Sequence, residues 1–262
     1  MLNQKFPFLK QILVKKIRIG FLIFCFGGSW LMTSMAEADF AVDLLRASDR
    51  GRGGLEGGST WESQVETHED GEVLSREFLI KAKKTDALAE ALSPARNKGE
   101  LYLFNDRNLW FFKPSLKKPV AISSRQKLSG QAANGDIAST NYARDYNPTL
   151  EKTEVINGEK VHILLLKAKA DNLTYDQIRY WIGDKSKRAI KAEFLTLEGK
   201  VFKTAILEYK NKLKINNEEI DFVSRLEITD ALNPKNKSIL IYKNPKVGDH
   251  SQKIFNINNL SR

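Results

Sequence analysis

Apolar and polar positions alternate along most of the chain beyond residue 59, and only short stretches carry helical spacing. Alternation predicts a long hairpin in which 59–69 pairs with 72–83 across Asp70-Gly71, a residue pair suited to a tight two-residue turn. A meander of strands is predicted next, near 100–105, 108–113, 119–131, 150–156, 159–169, 175–183, 188–197, 200–210, 218–229 and 237–243. Asn157-Gly158 and Glu198-Gly199 separate some of these runs, and Asp106-Arg107 parts the apolar runs 101–104 and 109–112. One face gathers the large apolar residues on several strands: Leu74, Phe78 and Ile80 with Arg76; Ile178, Tyr180 and Ile182; Ile190, Ala192 and Phe194; Phe202 and Ile206. Tyr175 and Trp181 fall on the other face of their strand.

Helical spacing is confined to an early stripe over 40–48 with Asp39 as its N-cap, and to 136–146 with Asp136 as N-cap. Residues 86–92 read as one or two helical turns before Pro94, and the glycine-rich run from Arg50 to Gly58 reads as a flexible connector. About ten antiparallel strands with so few helices predict a single α+β domain, built on a large curved sheet whose concave face is only partly filled.

The amino-terminal pattern is different. Lys5, Lys10, Lys15, Lys16 and Arg18 precede an apolar run from Gly20 to Met32, and Ala36-Glu37-Ala38 has the spacing of a signal-peptidase site. The apolar run is shorter than the roughly 20 residues that span a bilayer, which favours a cleaved leader over an anchor. Residues 1–38 are therefore predicted to be a signal peptide removed after Ala38, with 39–262 a single exported domain in the periplasm. The sole cysteine, Cys25, lies within the leader behind bulky Ile23 and Phe24, so the mature chain has no thiol for a disulfide, a nucleophile or a metal.

The full chain carries 42 Lys or Arg against 32 Asp or Glu; removing five of the former and one of the latter leaves 37 against 31, a net +6. The excess concentrates between Lys113 and Lys127, where no acid interrupts. For an exported protein, a nucleic-acid partner is excluded on compartment, and such a stretch suits anionic head groups or an acidic protein. Catalytic candidates are absent. His68, His162 and His250 are scattered, and neither a G-x-S-x-G elbow nor a phosphate-cradling loop occurs. No metal, cofactor or catalytic group is predicted, which leaves an envelope hydrolase with little support.

Three sets of residues resemble a known family. Asn108-Leu109-Trp110 with Lys113-Pro114-Ser115-Leu116-Lys117-Lys118 and Ile122-Ser123 is similar to a stretch of the outer-membrane lipoprotein-sorting proteins, the LolA/LolB-like carriers of the bacterial periplasm. The run Leu128 to Gln131, Gly135 to Ala138 and Asp145-Tyr146 resembles the segment that follows there. Lys191 to Phe194, Gly199-Lys200 and Lys203-Thr204 resemble a later hairpin. Inserts around Asn97-Lys98 and over 233–236 mark a divergent branch. The resemblance implies an open half β-barrel with helices covering a hydrophobic cavity that carries acyl chains of lipids or lipoproteins towards the outer membrane. An inner-membrane transporter and an outer-membrane acceptor are the implied partners, and the carrier is expected to be a monomer. The alternative is an envelope sensor or accessory protein of a membrane exporter on the same fold. Cavity-lining candidates are Trp61, Phe78, Ile80, Trp110, Phe112, Ile122, Tyr180, Ile182, Phe194 and Phe202. Lys117, Lys118 and Arg125 are the candidates for contact with a head group or partner.

Overall fold

The structure, a computed structural model, describes residues 28–138 and 140–260. The described residues from Ala38 on form one compact unit. Of the predicted leader, residues 1–27 with their cationic stretch and Cys25 lie outside the described residues. Among the described residues, no helix is long and apolar enough to cross a membrane.

Helix α1 runs over Gly28–Arg50. The strands that follow are β1 Ser59–Glu69, β2 Glu72–Lys83, β3 Asp86–Ser93, β4 Leu101–Asn105, β5 Asn108–Phe112, β6 Val120–Ile122, β7 Lys127–Ser129 and β8 Ala132–Ala133. A one-turn helix α2, Tyr142–Asp145, leads into β9 Tyr146–Ile156, β10 Glu159–Ala168, β11 Gln177–Gly183, β12 Ala189–Leu195 and β13 Val201–Glu208. A short hairpin, β14 Asn211–Ile215 with β15 Glu218–Phe222, precedes β16 Arg225–Asp230 and β17 Lys237–Val247. The described strands form a 13-stranded sheet in the order β6-β5-β4-β3-β2-β1-β17-β16-β13-β12-β11-β10-β9, with β14-β15 and β7-β8 as separate pairs. Every neighbour in the large sheet is antiparallel, and its ends, β6 and β9, do not pair with each other. The sheet is open, as the family resemblance implies.

Three local readings of the sequence give way to tertiary contacts. Residues 86–93 are a strand, although Ala, Leu and Glu favour helix; β3 is held between β2 and β4, and Ala87, Ala89 and Ala91 alternate onto the buried face. The helix predicted over 136–146 is instead a 3-10 turn at Asn134–Ile137 and the separate turn α2. Asp136 does not cap it. Its buried carboxylate accepts hydrogen bonds from Ala133 N and the Tyr175 hydroxyl, both at 2.8 Å, while Asn141 Oδ1 caps α2 by accepting from Arg144 N. The single runs predicted at 119–131 and 218–229 are each broken, the second between β15 and β16, and β15 pairs instead with β14 across a turn at Asn216 with φ 53°.

Helix α1 extends through Asp39, since nothing between Ser29 and Asp39 breaks a helix, and ends at the glycines after Arg50. Ala41, Leu44, Leu45, Ser48 and Asp49 make its buried stripe. That stripe belongs to the main core, with the inward residues of β1, β2 and β10 to β13 and with Leu213 and Phe222 of the hairpin. Arg76 lies over Phe78 at 5.0 Å and pairs with Glu100 at 2.9 Å. Two smaller clusters lie apart from this core: Leu103, Phe255 and Leu260 with Trp110 and Phe112, and Val161, Ile163 and Trp181. Tyr175 sits just before β11 rather than within it, and joins the main core.

Candidate functional site

The inner face of the sheet meets three connecting segments: α1 from Ala41 on, the glycine-rich run after it, and 131–146. The glycine-rich run lies directly on the sheet. Gly53 has φ +100°, and a Cβ there would stand 2.8 Å from the Trp61 ring, so only glycine permits this approach. The next contact is polar. Arg52, 6% exposed, donates to the Tyr180 hydroxyl at 3.2 Å and places its guanidinium 4.4 Å from the centre of the Tyr142 ring. Ser59 Oγ donates to Gly53 O at 3.2 Å, fastening the same run to β1.

Two buried carboxylates flank this arginine. Asp49 Oδ2 accepts from Ala143 N at 2.9 Å, whereas Oδ1 has no hydrogen-bond partner among the described residues. Burial raises the Asp49 pKa to about 7 despite the Ala143 bond and the nearby Arg52 charge. Burial also raises that of Asp136, against the opposing pull of Lys203. Lys203 is itself lowered by burial and donates to Gln131 O at 2.6 Å. Around these groups the rings close on one another: Tyr175 stacks on Phe194 at 3.8 Å, Tyr142 meets Tyr180 at 5.6 Å, and Trp61 meets Phe222 at 5.7 Å. Among the described residues the arrangement holds no nucleophile–base pair; it is an apolar sheet face covered by segments with polar anchors.

Of the predicted lining residues, Trp61, Phe78, Ile80, Tyr180, Ile182 and Phe194 come together in the main core, and Ile122 and Phe202 pack against it half-buried. Trp110 and Phe112 do not. They pack with Leu103 and Phe255, because the register of β5 turns Leu109 and Phe111 to the main core instead. Lys117 and Lys118 are exposed, and Arg125 pairs with Asp176 at 2.7 Å. Sequence reasoning missed Arg52, Asp49 and Tyr142. The glycines around Arg52 signalled flexibility, and nothing local signals that the run turns inward. A hollow of about 430 Å³ lies at the turn ends beside Glu159, Lys160, Asp184 and Arg188, a charged setting apart from the aromatic residues of the inner face.

No curated protein matches the chain. A family model described as an uncharacterized protein matches residues 83–262. Among solved structures, a LolA superfamily protein from Nitrosomonas europaea is 30% identical, with 83% of this chain and 98% of that chain covered and a TM-score of 0.74. A putative outer membrane lipoprotein-sorting protein domain from Vibrio parahaemolyticus is 20% identical, with 86% and 100% covered and a TM-score of 0.71. A DUF1329 family protein from Desulfovibrio piger is 18% identical, with 86% and 99% covered and a TM-score of 0.70. The last two are alike in fold. With the open antiparallel sheet, its covered inner face and the match at 30% identity over 83% of its length, the chain belongs to the LolA superfamily and to the family of uncharacterized proteins whose model spans 83–262.

Proposed function

We propose that this protein is a periplasmic carrier that takes acyl chains of lipids or lipoproteins between the inner face of its sheet and the covering segments. It moves them towards the outer membrane without covalent chemistry. The observation that supports this reading is the nature of the cover. An apolar concave face is closed by connecting segments fixed through Arg52, Asp49 and Ser59, rather than by a second sheet. Moving that cover would free Trp61, Phe78, Ile80, Tyr180, Ile182 and Phe194 to meet a guest, at about 0.8 kcal/mol for each CH₂ removed from water. Uptake thus requires an opened state that the guest binds better than the closed one.

Native mass spectrometry of the protein from the cell envelope tests this. Bound lipid or acylated protein is expected, together with uptake of a fluorescent fatty acid by the emptied protein; an empty protein that takes up no probe overturns the reading. One observation favours a second reading, an envelope sensor or exporter accessory protein: the described rings already close on one another around Arg52. That reading expects an empty interior and a stable membrane-protein partner in the same preparation.

A further inference from the structure

The two wings of the open sheet approach each other at a polar seam. Arg107, on the β4–β5 turn, reaches Asp145 of α2 with its Nε 3.0 Å from Oδ1, and its Nη2 donates to Arg144 O at 3.3 Å. Both central residues of that turn hold positive φ, 45° at Asp106 and 63° at Arg107, a shape more often given to glycine or asparagine. Asn172, in the β10–β11 loop, donates to Arg107 O at 2.8 Å, and Ser124 donates to Asn172 O at 2.8 Å.

Charge at this seam is unbalanced. Arg144 forms a fork on Asp145, with Nε 2.7 Å from Oδ1 and Nη2 3.1 Å from Oδ2. Lys169 donates to Ala143 O at 3.1 Å and to Arg144 O at 2.9 Å. Three cations therefore surround one carboxylate. Burial and then the Arg107 charge lower the Lys169 pKa, the response expected of a cation among cations. Of the five N–H donors of Arg107, one on Nε and one on Nη2 serve Asp145 and Arg144 O.

A hollow of about 40 Å³ opens here, with Arg107, Arg144 and Asp145 on its wall beside Phe104, Leu109, Ala138 and Leu173. Leu109, Ala138 and Leu173 belong to the main core, so the hollow's apolar wall is continuous with the inner face. We propose that the seam is a binding site for a phosphate-type oxyanion, with Arg107 and Arg144 on the wall of the hollow holding the anion, Lys169 adding its charge from beside Arg144 O, and the apolar wall receiving the chain attached to it. The favoured source is the head group of an anionic amphiphile, and in that form the site rests on the carrier reading above. Free phosphate offers the same chemistry without the chain. The excess of two positive charges selects against zwitterionic and uncharged heads, since only an anion completes the cluster.

The test measures binding of dodecyl phosphate, dodecyl glucoside and inorganic phosphate to the full chain, its R107Q/K169Q variant and D145N. Wild type should bind dodecyl phosphate about tenfold more tightly than dodecyl glucoside, the worth of a charge-assisted hydrogen bond. R107Q/K169Q should lose that preference while its affinity for dodecyl glucoside stays unchanged. D145N should strengthen dodecyl phosphate binding, because the competing carboxylate charge is gone; a seam that only fastens the wings would show no such gain. Should R107Q fail to fold, K169Q alone should reduce the preference, as Lys169 is largely exposed. Equal affinity for the two dodecyl compounds overturns the head-group site and leaves the carrier standing. Binding of inorganic phosphate with neither dodecyl compound bound keeps the oxyanion site, assigns it to free phosphate and removes the carrier. Binding of none of the three overturns both.

Discussion

The two faces of the sheet bury aromatic residues against segments of quite different character. On the inner face, Trp61, Phe78, Tyr180 and Phe194 meet a cover that brings Arg52, Asp49 and Asp136 inward with it. On β4 and β5 the opposite face packs Leu103, Trp110 and Phe112 under the carboxy-terminal turns that carry Phe255 and Leu260. Hydrogen bonds at that second contact, such as Gln252 Nε2 to Asp86 at 2.6 Å and Asn105 Nδ2 to Phe255 O at 3.2 Å, lie beside the apolar cluster rather than inside it. This second contact keeps its ionisable groups, Asp86 and His250, beside the apolar cluster rather than within it. A contact with buried carboxylates and a guanidinium at its centre can be shifted by charge or by a competing ligand.

The contrast can be broken most forcefully by truncation. Trp61→Ala should destabilise the protein by about 3–5 kcal/mol in urea unfolding and should also alter uptake of an acyl probe. Phe255→Ala, 1% exposed in the wild type, should cost about 3 kcal/mol on the same scale but leave probe uptake by the folded fraction unchanged. If both variants changed uptake alike, the two faces would not be functionally distinct.

A gentler probe uses pH. The folded state holds the Asp49 proton up to about pH 7, whereas the unfolded chain releases it near the ordinary value of 3.8. Between these limits the folded state binds more protons, so the Asp49 contribution makes stability fall as pH rises, by up to about 1.4 kcal/mol per unit. Above about pH 7 the contribution is level. Urea midpoints measured from pH 4 to 7 should slope less steeply in D49N than in wild type, and an unchanged slope would remove Asp49 from the account. The smallest effect is expected at the surface. Lys127→Ala breaks a 2.7 Å pair with Glu69 in which the lysine side chain is 57% exposed, and should cost about 0.5 kcal/mol or less.

Much of the strand order and most turns are legible from alternation and from pairs such as Asp70-Gly71 and Asn157-Gly158, because a strand with one buried face must alternate. The same rule explains why six of the predicted lining residues, Trp61, Phe78, Ile80, Tyr180, Ile182 and Phe194, share the main core. It fails at β5, where Leu109, Trp110, Phe111 and Phe112 are apolar without alternation. Both faces of that strand are covered, and the sequence holds no mark of which face is inner. It fails again at β3, whose alanines suit helix and strand alike until neighbours on both sides supply hydrogen bonds.

By itself, then, the sequence determined a mostly antiparallel protein with large apolar residues on one side of its strands, tight turns at Gly- and Asn-bearing pairs, and the motifs of its superfamily. Local spacing suffices for these because each depends on residues within one strand or turn. Only the tertiary structure decided that Arg52 turns inward against Tyr142 and Tyr180, that Trp110 faces the carboxy-terminal turns, and that Arg107, Arg144 and Lys169 gather on Asp145. Those placements join segments up to 150 residues apart, and where such segments meet is set by the closure of the whole sheet rather than by any one stretch of it.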